Sequence, residues 1–431
     1  MLVVHWPDGL ALRARFSKDI LTREGAMKRI MFFGLLVVAF AIFCAGPAFA
    51  VKPIKIGFIH SLSGGVGQVY GVPDLAGVKI AVEEINKAGG ILGRPLKVIS
   101  RDDKLKPEVG VREAKDLILN EKVDWIQGTV SSAVALAISA YCRTQKVIFV
   151  GTVAQSAAIT GEKGHRYVFR VSTNTTTYAR SVANAAAKFW GGKKVFIIGP
   201  DYEYGHRCKK DFMEAYSKLV PGAKLVGELW PKLGTKDFTP YITKIMSSGA
   251  DFVYSSLWGG DVLSFTKTAW PFGYFDRIKH CGQDWGNMEG LSKMSKKAYP
   301  KGVLGGTHYP WWQIDNPVNN AYYPKFKKVT GMDAGIGAAA GYTTVYAMKQ
   351  AIEKAGVMDT EKIIDALEGS VVNSPVGPLK IRACDHQAMW PFWVGPVAFT
   401  PEFPWPHVTQ AVALDPPERG YRSCAEIEAA R

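Results

Sequence analysis

From Ile54 onward, short β-rich runs alternate with longer runs of helical spacing, and this alternation restricts the fold more than any other feature of the chain. Ile54–His60 reads as a strand. Leu75, Val78, Ala81, Val82 and Ile85 then recur at helical spacing and stop at Gly89-Gly90, a helix-ending pair. Residues 96–100 form the next expected strand. Pro107 suits a helix start, and Val111, Ala114, Leu117 and Ile118 give that helix one apolar face. A strand at 123–127, a helix at 132–143 and a strand at 147–150 complete the series. Such a series predicts a parallel sheet with helices on both faces.

The pattern then restarts. Strands are expected at 195–198, 224–228, 251–255 and 277–281, with helices at 209–219, 238–246 and 261–270 between them. Two further helices are expected at 338–355 and 360–367. The fold class is therefore α/β, in two lobes that each own a sheet. The length of 431 residues suits two domains or three, and 47% hydrophobic with 21% charged residues excludes a disordered or collagen-like chain. The 53 Lys and Arg exceed the 38 Asp and Glu by 15. They are scattered, with no basic run longer than a pair, which describes a solvated surface and not a nucleic-acid groove.

Residues 27–50 do not read as fold. Met27 is followed by Lys28-Arg29, an apolar run over 30–45, then Gly46-Pro47 and Ala48-Phe49-Ala50. A basic start, an apolar centre and an A-x-A exit are the parts of a cleaved secretory signal, with cleavage expected after Ala50. Residues 1–26 precede the better start at Met27 and are set aside as an untranslocated leader or an over-extended reading frame. An exported chain meets an oxidising space, where disulfides persist. Five cysteines follow Ala50. Cys384 and Cys424, both in the tail beyond the last helices, are expected to pair. Cys208 with Cys281 is the second expected pair, and Cys142 sits in an apolar helical stretch as a core residue.

Enzyme signatures are missing where this architecture would carry them. The turn after the first strand, Ser61-Leu62-Ser63-Gly64-Gly65-Val66-Gly67-Gln68, lacks the Gly-Lys-Ser/Thr of a phosphate loop. Tyr70 stands where a dinucleotide fingerprint needs its third glycine. There is no G-x-S-x-G, no H-E-x-x-H, and no cysteine–histidine spacing for zinc. Asp102 and Asp103 are strand neighbours that point to opposite faces, so they do not converge on one substrate. No cofactor is expected. A parallel sheet instead offers a binding site beyond the carboxyl ends of its strands, where helix N-termini suit a carboxylate. Two loops have that chemistry: Gly128-Thr129-Val130-Ser131-Ser132 and Gly151-Thr152-Val153-Ala154-Gln155-Ser156. Simple helix capping by Ser131 or Ser132 explains the first of them equally well.

Ser61-Leu62-Ser63-Gly64, Tyr70-Gly71, then Ile85-Asn86-x3-Gly90-Ile91-x-Gly93-x2-Leu96 and Asp102-Asp103 resemble the periplasmic leucine/isoleucine/valine-binding proteins, type I substrate-binding proteins of ABC importers. The late segment Cys384-Asp385-His386-Gln387 is similar to one branch of that family, and the resemblance runs from about residue 54 to 397. It implies two Rossmann-like lobes joined by three crossovers: 51–171 with 309–385, and 172–308 with 386–431. It implies a solute held in the cleft and passed to a membrane permease in the periplasm, by a monomer that does no covalent chemistry. The residues matching the family's ligand contacts are Tyr70, Ser131 or Ser132, Ala154, Ser156, Tyr204, Trp258 and Asp284, the last receiving an ammonium group. The family more often has Glu at 284 and a smaller ring at 258. The expected solute is an amino acid of the branched-chain type. Aromatic acids, amides or urea are the alternatives, as is a sensor of amides or amino acids. If residues 48–50 form the processing site, N-terminal sequencing of the exported protein should read from Val51; a start at Met1 or Met27 would contradict it.

Overall fold

The computed structural model describes residues 51–294, 298–300, 302–414 and 416–431. The expected leader and signal segment lie outside them. The first lobe is built on a five-stranded parallel sheet of order β2-β1-β3-β4-β5, from β1 (Ile54–His60), β2 (Leu96–Asp102), β3 (Trp125–Gly128), β4 (Ile148–Gly151) and β5 (Val168–Arg170). β1 lies inside the sheet, so both its faces are covered, and Ile54, Ile56, Phe58 and Ile59 are all fully buried. That explains its nearly unbroken apolar run. Helices Val72–Lys87 and Ile336–Ala355 pack together over this sheet. Their approach is too close for larger residues: a Cβ on Gly77 would stand 2.1 Å from the Ala338 carbonyl.

The second sheet has order β14-β13-β10-β9-β8-β6-β7. β6 (Lys194–Ile198), β7 (Lys224–Leu229), β8 (Phe252–Ser255), β9 (His280–Gly282) and β10 (Leu304–Thr307) are parallel. β13 (Trp393–Ala398) joins β10 antiparallel, and β14 (His407–Val408) and β15 (Val412–Ala413) pair with β13. The hairpin of β11 (Val371–Ser374) and β12 (Gly377–Lys380) stands apart from both sheets. The chain passes between the lobes three times: after β5, after β10 and before β13. These are two type I lobes.

Several elements differ from their sequence expectation. Residues 274–277 are a helical turn, and β9 begins only at His280. The helix expected at 209 starts at Glu203. Helix Thr175–Phe189 has no counterpart in the sequence pattern, since three successive threonines are poor helix formers. It forms because Asn174 caps it, accepting the Thr177 N–H at 2.9 Å, and because Tyr178, Val182 and Ala186 are buried together. Asp102 and Asp103 brace the first loop separately. Asp102 accepts the Leu62 N–H at 3.1 Å, and Asp103 accepts the Ser61 hydroxyl at 2.6 Å.

Cys384 and Cys424 are joined, with 5.8 Å between their Cα atoms. The expected Cys208–Cys281 bridge is absent: both are free, buried thiols. Cys208 lies on helix Glu203–Leu219 and accepts the Gln283 amide at 3.5 Å, while Cys281 is fixed in β9. Burial pushes both thiols well up, so they stay protonated and inert. The tail behind the disulfide touches both lobes. Arg422 bonds Glu162 at 3.0 Å, and Arg180 faces Glu426 at 3.5 Å. Closing a loop of this length stabilises by about 3–4 kcal/mol on chain-entropy grounds. Urea unfolding of the Cys384→Ser, Cys424→Ser double variant should show a loss of that order; unchanged stability would contradict the tail's role as a strap.

Candidate functional site

The residues around the cleft follow strand ends in both lobes. Tyr70 follows β1, Val130 follows β3, and Val153 and Gln155 follow β4. Tyr202 and Tyr204 follow β6, Trp258 follows β8, Asp284 follows β9 and His308 follows β10. With Tyr178 and Ile336 they line a cavity with about 30 Å³ of free space, room for a water or two, so the lobes must part for a solute to enter. It is the place a parallel sheet reserves for ligands.

Tyr70 reaches the cleft from a π-helical turn, Gly67–Gly71, that leads into helix Val72–Lys87. Such turns recur at functional sites. This one needs glycine, because a Cβ at Gly71 would stand 1.9 Å from the Ser61 carbonyl. The Tyr70 hydroxyl donates across the cleft to Asp284 Oδ2 at 3.2 Å, and its ring meets Trp258 edge-on at 5.7 Å between centroids. Asp284 also accepts the Gly259 N–H at 2.9 Å and the Asn287 amide. Gly259 takes a φ of 54°, which lets its N–H face the carboxylate. No Lys or Arg is among the described lining residues. Burial pushes the Asp284 carboxyl up, against the pull of those three donors. Tyr204 is held by the Gln283 amide at 2.8 Å.

Of the residues singled out in the sequence, the structure brings Tyr70, Tyr204, Trp258 and Asp284 together on the cavity wall. Ser131, Ser132, Ala154 and Ser156 lie just behind it. Ser131 caps helix Ser132–Gln145, the bland alternative already open in the sequence. Ser132 Oγ accepts the Ser156 N–H at 3.1 Å, and the Ala154 N–H donates to the Thr129 carbonyl at 2.8 Å. Ser156 donates across the cleft to Glu203 at 2.7 Å. These four shape a loop that turns Gln155 inward. Gln155, Tyr178, Tyr202 and His308 are lining residues that the sequence reading passes over. Gln155 had a signal, since it lies between two residues already chosen. Tyr178 and His308 had none, because they come from an unforeseen helix and a crossover.

A third contact spans the cleft. Glu289 accepts the Ile336 N–H at 2.8 Å and so completes the N-terminus of helix Ile336–Ala355 from the opposite lobe. Burial, with the nearby Asp284 charge, pushes its carboxyl up to about 7. Lys293 and Asp333 border the same groove.

A sequence model of the family described as periplasmic binding protein matches residues 53–400. The Leu/Ile/Val-binding protein homolog 4 of Brucella melitensis is 27% identical over 385 residues, 84% of this chain and 88% of that protein. The leucine-, isoleucine-, valine-, threonine- and alanine-binding protein of Pseudomonas aeruginosa is 26% identical over 351 residues, 81% of this chain and 90% of its own. A solute-binding protein of an ABC transporter from R. palustris, solved with 4-hydroxybenzoate, is 25% identical with a TM-score of 0.75, covering 85% of this chain and 98% of that one. Two type I lobes around a small cavity define a solute binder, one that holds its ligand without transforming it. The chain belongs to the periplasmic binding protein family.

The Glu289 carboxyl gives a pH test. Between its ordinary value of 4.5 and about 7, the folded, closed protein holds a proton there that the exposed group would release. Stability from this group is therefore full below the lower value and lost as pH rises through 7. Melting temperatures from pH 5 to 8 should fall more in the wild type than in Glu289→Gln. Parallel curves would contradict this.

Proposed function

We propose that the cleft captures an α-amino acid with an apolar side chain, of the branched-chain type, in the periplasm and delivers it as a monomer to a membrane permease. The observation that carries this reading is Asp284. It is the one carboxylate among the described lining residues, it is 9% exposed, and no cationic side chain lines the cavity with it. A buried carboxylate without a cation favours a ligand that brings one. An ammonium group would add a charge-assisted hydrogen bond to the three donors already present. The Brucella and Pseudomonas relatives, named for branched-chain amino acids, support the same class.

Aromatic acids are the second reading. Five aromatic side chains line the cavity, and the R. palustris relative holds 4-hydroxybenzoate. A phenol could donate to Asp284 in place of an ammonium. Amides, urea and a sensing role lack a comparable observation. In either reading the lobes 51–171 with 309–385 and 172–308 with 386–431 close by bending at their three crossovers.

A thermal-shift screen with L-leucine, L-phenylalanine, 4-hydroxybenzoate and benzamide separates the readings. A ligand at 100 times its Kd should add about 2.7 kcal/mol of stability. For an amino acid, Asp284→Ala should weaken binding by about 1.5–3 kcal/mol, roughly 10- to 150-fold in Kd. An analogue without the amine should bind the wild type poorly and lose little more in the variant. Should a plain aromatic acid bind the wild type as tightly as any amino acid, the second reading replaces the first.

A further inference from the structure

Gln155 is 6% exposed, lines the cavity, and has a buried side-chain nitrogen with no acceptor. Its oxygen is engaged: Oε1 accepts the Thr173 hydroxyl at 3.1 Å. Thr173 Oγ1 also lies 3.0 Å from His308 Nδ1, and His308 Nε2 lies 3.2 Å from the Tyr178 hydroxyl. A threonine hydroxyl has a single proton. Given to Gln155, it leaves Thr173 to accept from His308 Nδ1. Burial holds His308 near 3, so the ring is neutral and its other nitrogen accepts. Tyr178 then donates to that nitrogen. The relay runs one way, Tyr178 to His308 to Thr173 to Gln155, and it leaves the amide NH₂ as two unused donors facing the cavity.

The loop behind is equally fixed. The guanidinium of Arg170 donates to the carbonyls of both neighbours of Gln155, Ser156 at 2.7 Å and Ala154 at 3.4 Å. The Gln155 carbonyl accepts the Thr175 N–H at 2.9 Å. A polar nitrogen buried without a partner is destabilising, and a ligand oxygen would satisfy it.

We propose that Gln155 determines specificity by presenting a donor-only wall to the solute, which accepts one carboxylate or carbonyl oxygen there while Asp284 takes the opposite, hydrogen-donating end. Thr173 and His308 are positioning residues that hold the amide in this orientation. The inference rests on the reading of the cleft as the solute site, but not on which solute class it takes.

Calorimetry at pH 7 tests it with L-leucine and 4-hydroxybenzoate as probes, each paired with its carboxylate-free counterpart, isopentylamine and phenol. For a carboxylate that binds the wild type, Gln155→Leu should weaken binding about 10-fold or more. Gln155→Glu should weaken it further by charge repulsion, and neither change should affect the carboxylate-free counterpart. Gln155→Met serves in place of Leu if that variant does not fold. Thr173→Val should weaken the carboxylate less than Gln155→Leu does, and Thr173→Ser should restore it. Adding Thr173→Val to Gln155→Leu should cost nothing more. If a probe binds the wild type and the Gln155 variants equally, the inference falls while the cleft reading stands. If neither the probes nor their counterparts bind the wild type, the cleft reading falls and the inference with it.

Discussion

The cleft depends on one buried charge. Arg170 closes β5 with no exposed surface and, among the described residues, no carboxylate paired with it. Its guanidinium is satisfied instead by Gln387 at 2.7 Å, Thr160 at 3.0 Å and the carbonyls of Ala154 and Ser156. Burial lowers it to about 10, so it remains charged at neutral pH and every donor must be met. Meeting them fixes three things together: the end of the first sheet, the loop after β4, and the last crossover through Gln387. Gln387 in turn donates to the carbonyls of Ser172 and Ala388, and Trp390 donates to the His308 carbonyl at 2.9 Å. All three crossovers are thus hydrogen-bonded around one point, behind the cavity they border.

The two lobes bring unlike chemistry to that cavity. The first contributes apolar side chains, the Tyr70 ring and an amide, and its helix N-terminus is already capped by Ser131. The second contributes the acid, backed by Asn287 and Gly259, on a floor of aromatic rings. Few polar groups on a mostly apolar wall is the usual composition of a small-molecule pocket. Tyr70 and Ser156 reach across to Asp284 and Glu203, so the contacts that close the cleft come from the same segments that shape it. Binding and closure then share their interactions, and a solute that favours the closed form shifts the population by that preference alone.

Much of this was legible in the sequence, for a definite reason. In the first lobe β1, β3, β4 and β5 are buried while edge strand β2 is half-exposed, and the helices are amphipathic, so periodicity marks both, and the Gly-rich turn before Tyr70 marks the entrance. Tyr204, Trp258 and Asp284 come from the family resemblance, each matching a contact that follows a strand. The rest depends on contacts distant in sequence. The helix starting at Thr175 runs against its local propensity and forms through its cap and its packing. Tyr178 and His308 meet across 130 positions, which no local pattern encodes. Gln155 is passed over by one residue because the Ala154 backbone and the Ser156 hydroxyl look more like ligand contacts than the amide between them. The structure gives both of them partners inside the protein. Cys208 and Cys281 do not form the expected second bridge, since one is fixed on a helix and the other within a sheet.

The three unpaired cysteines among the described residues bear on how such a chain matures in an oxidising space. Cys142, Cys208 and Cys281 are each enclosed in a different element, and each has its thiol pushed up by burial. Once the cores have formed, none of them can present a thiolate to an oxidant. Cys384 and Cys424 stay at the periphery, so they are the pair left to react. Hydrophobic burial before oxidation would hide the competitors and leave the correct bridge to form. A chain oxidised before its cores close loses that protection and is exposed to misjoined, aggregation-prone forms.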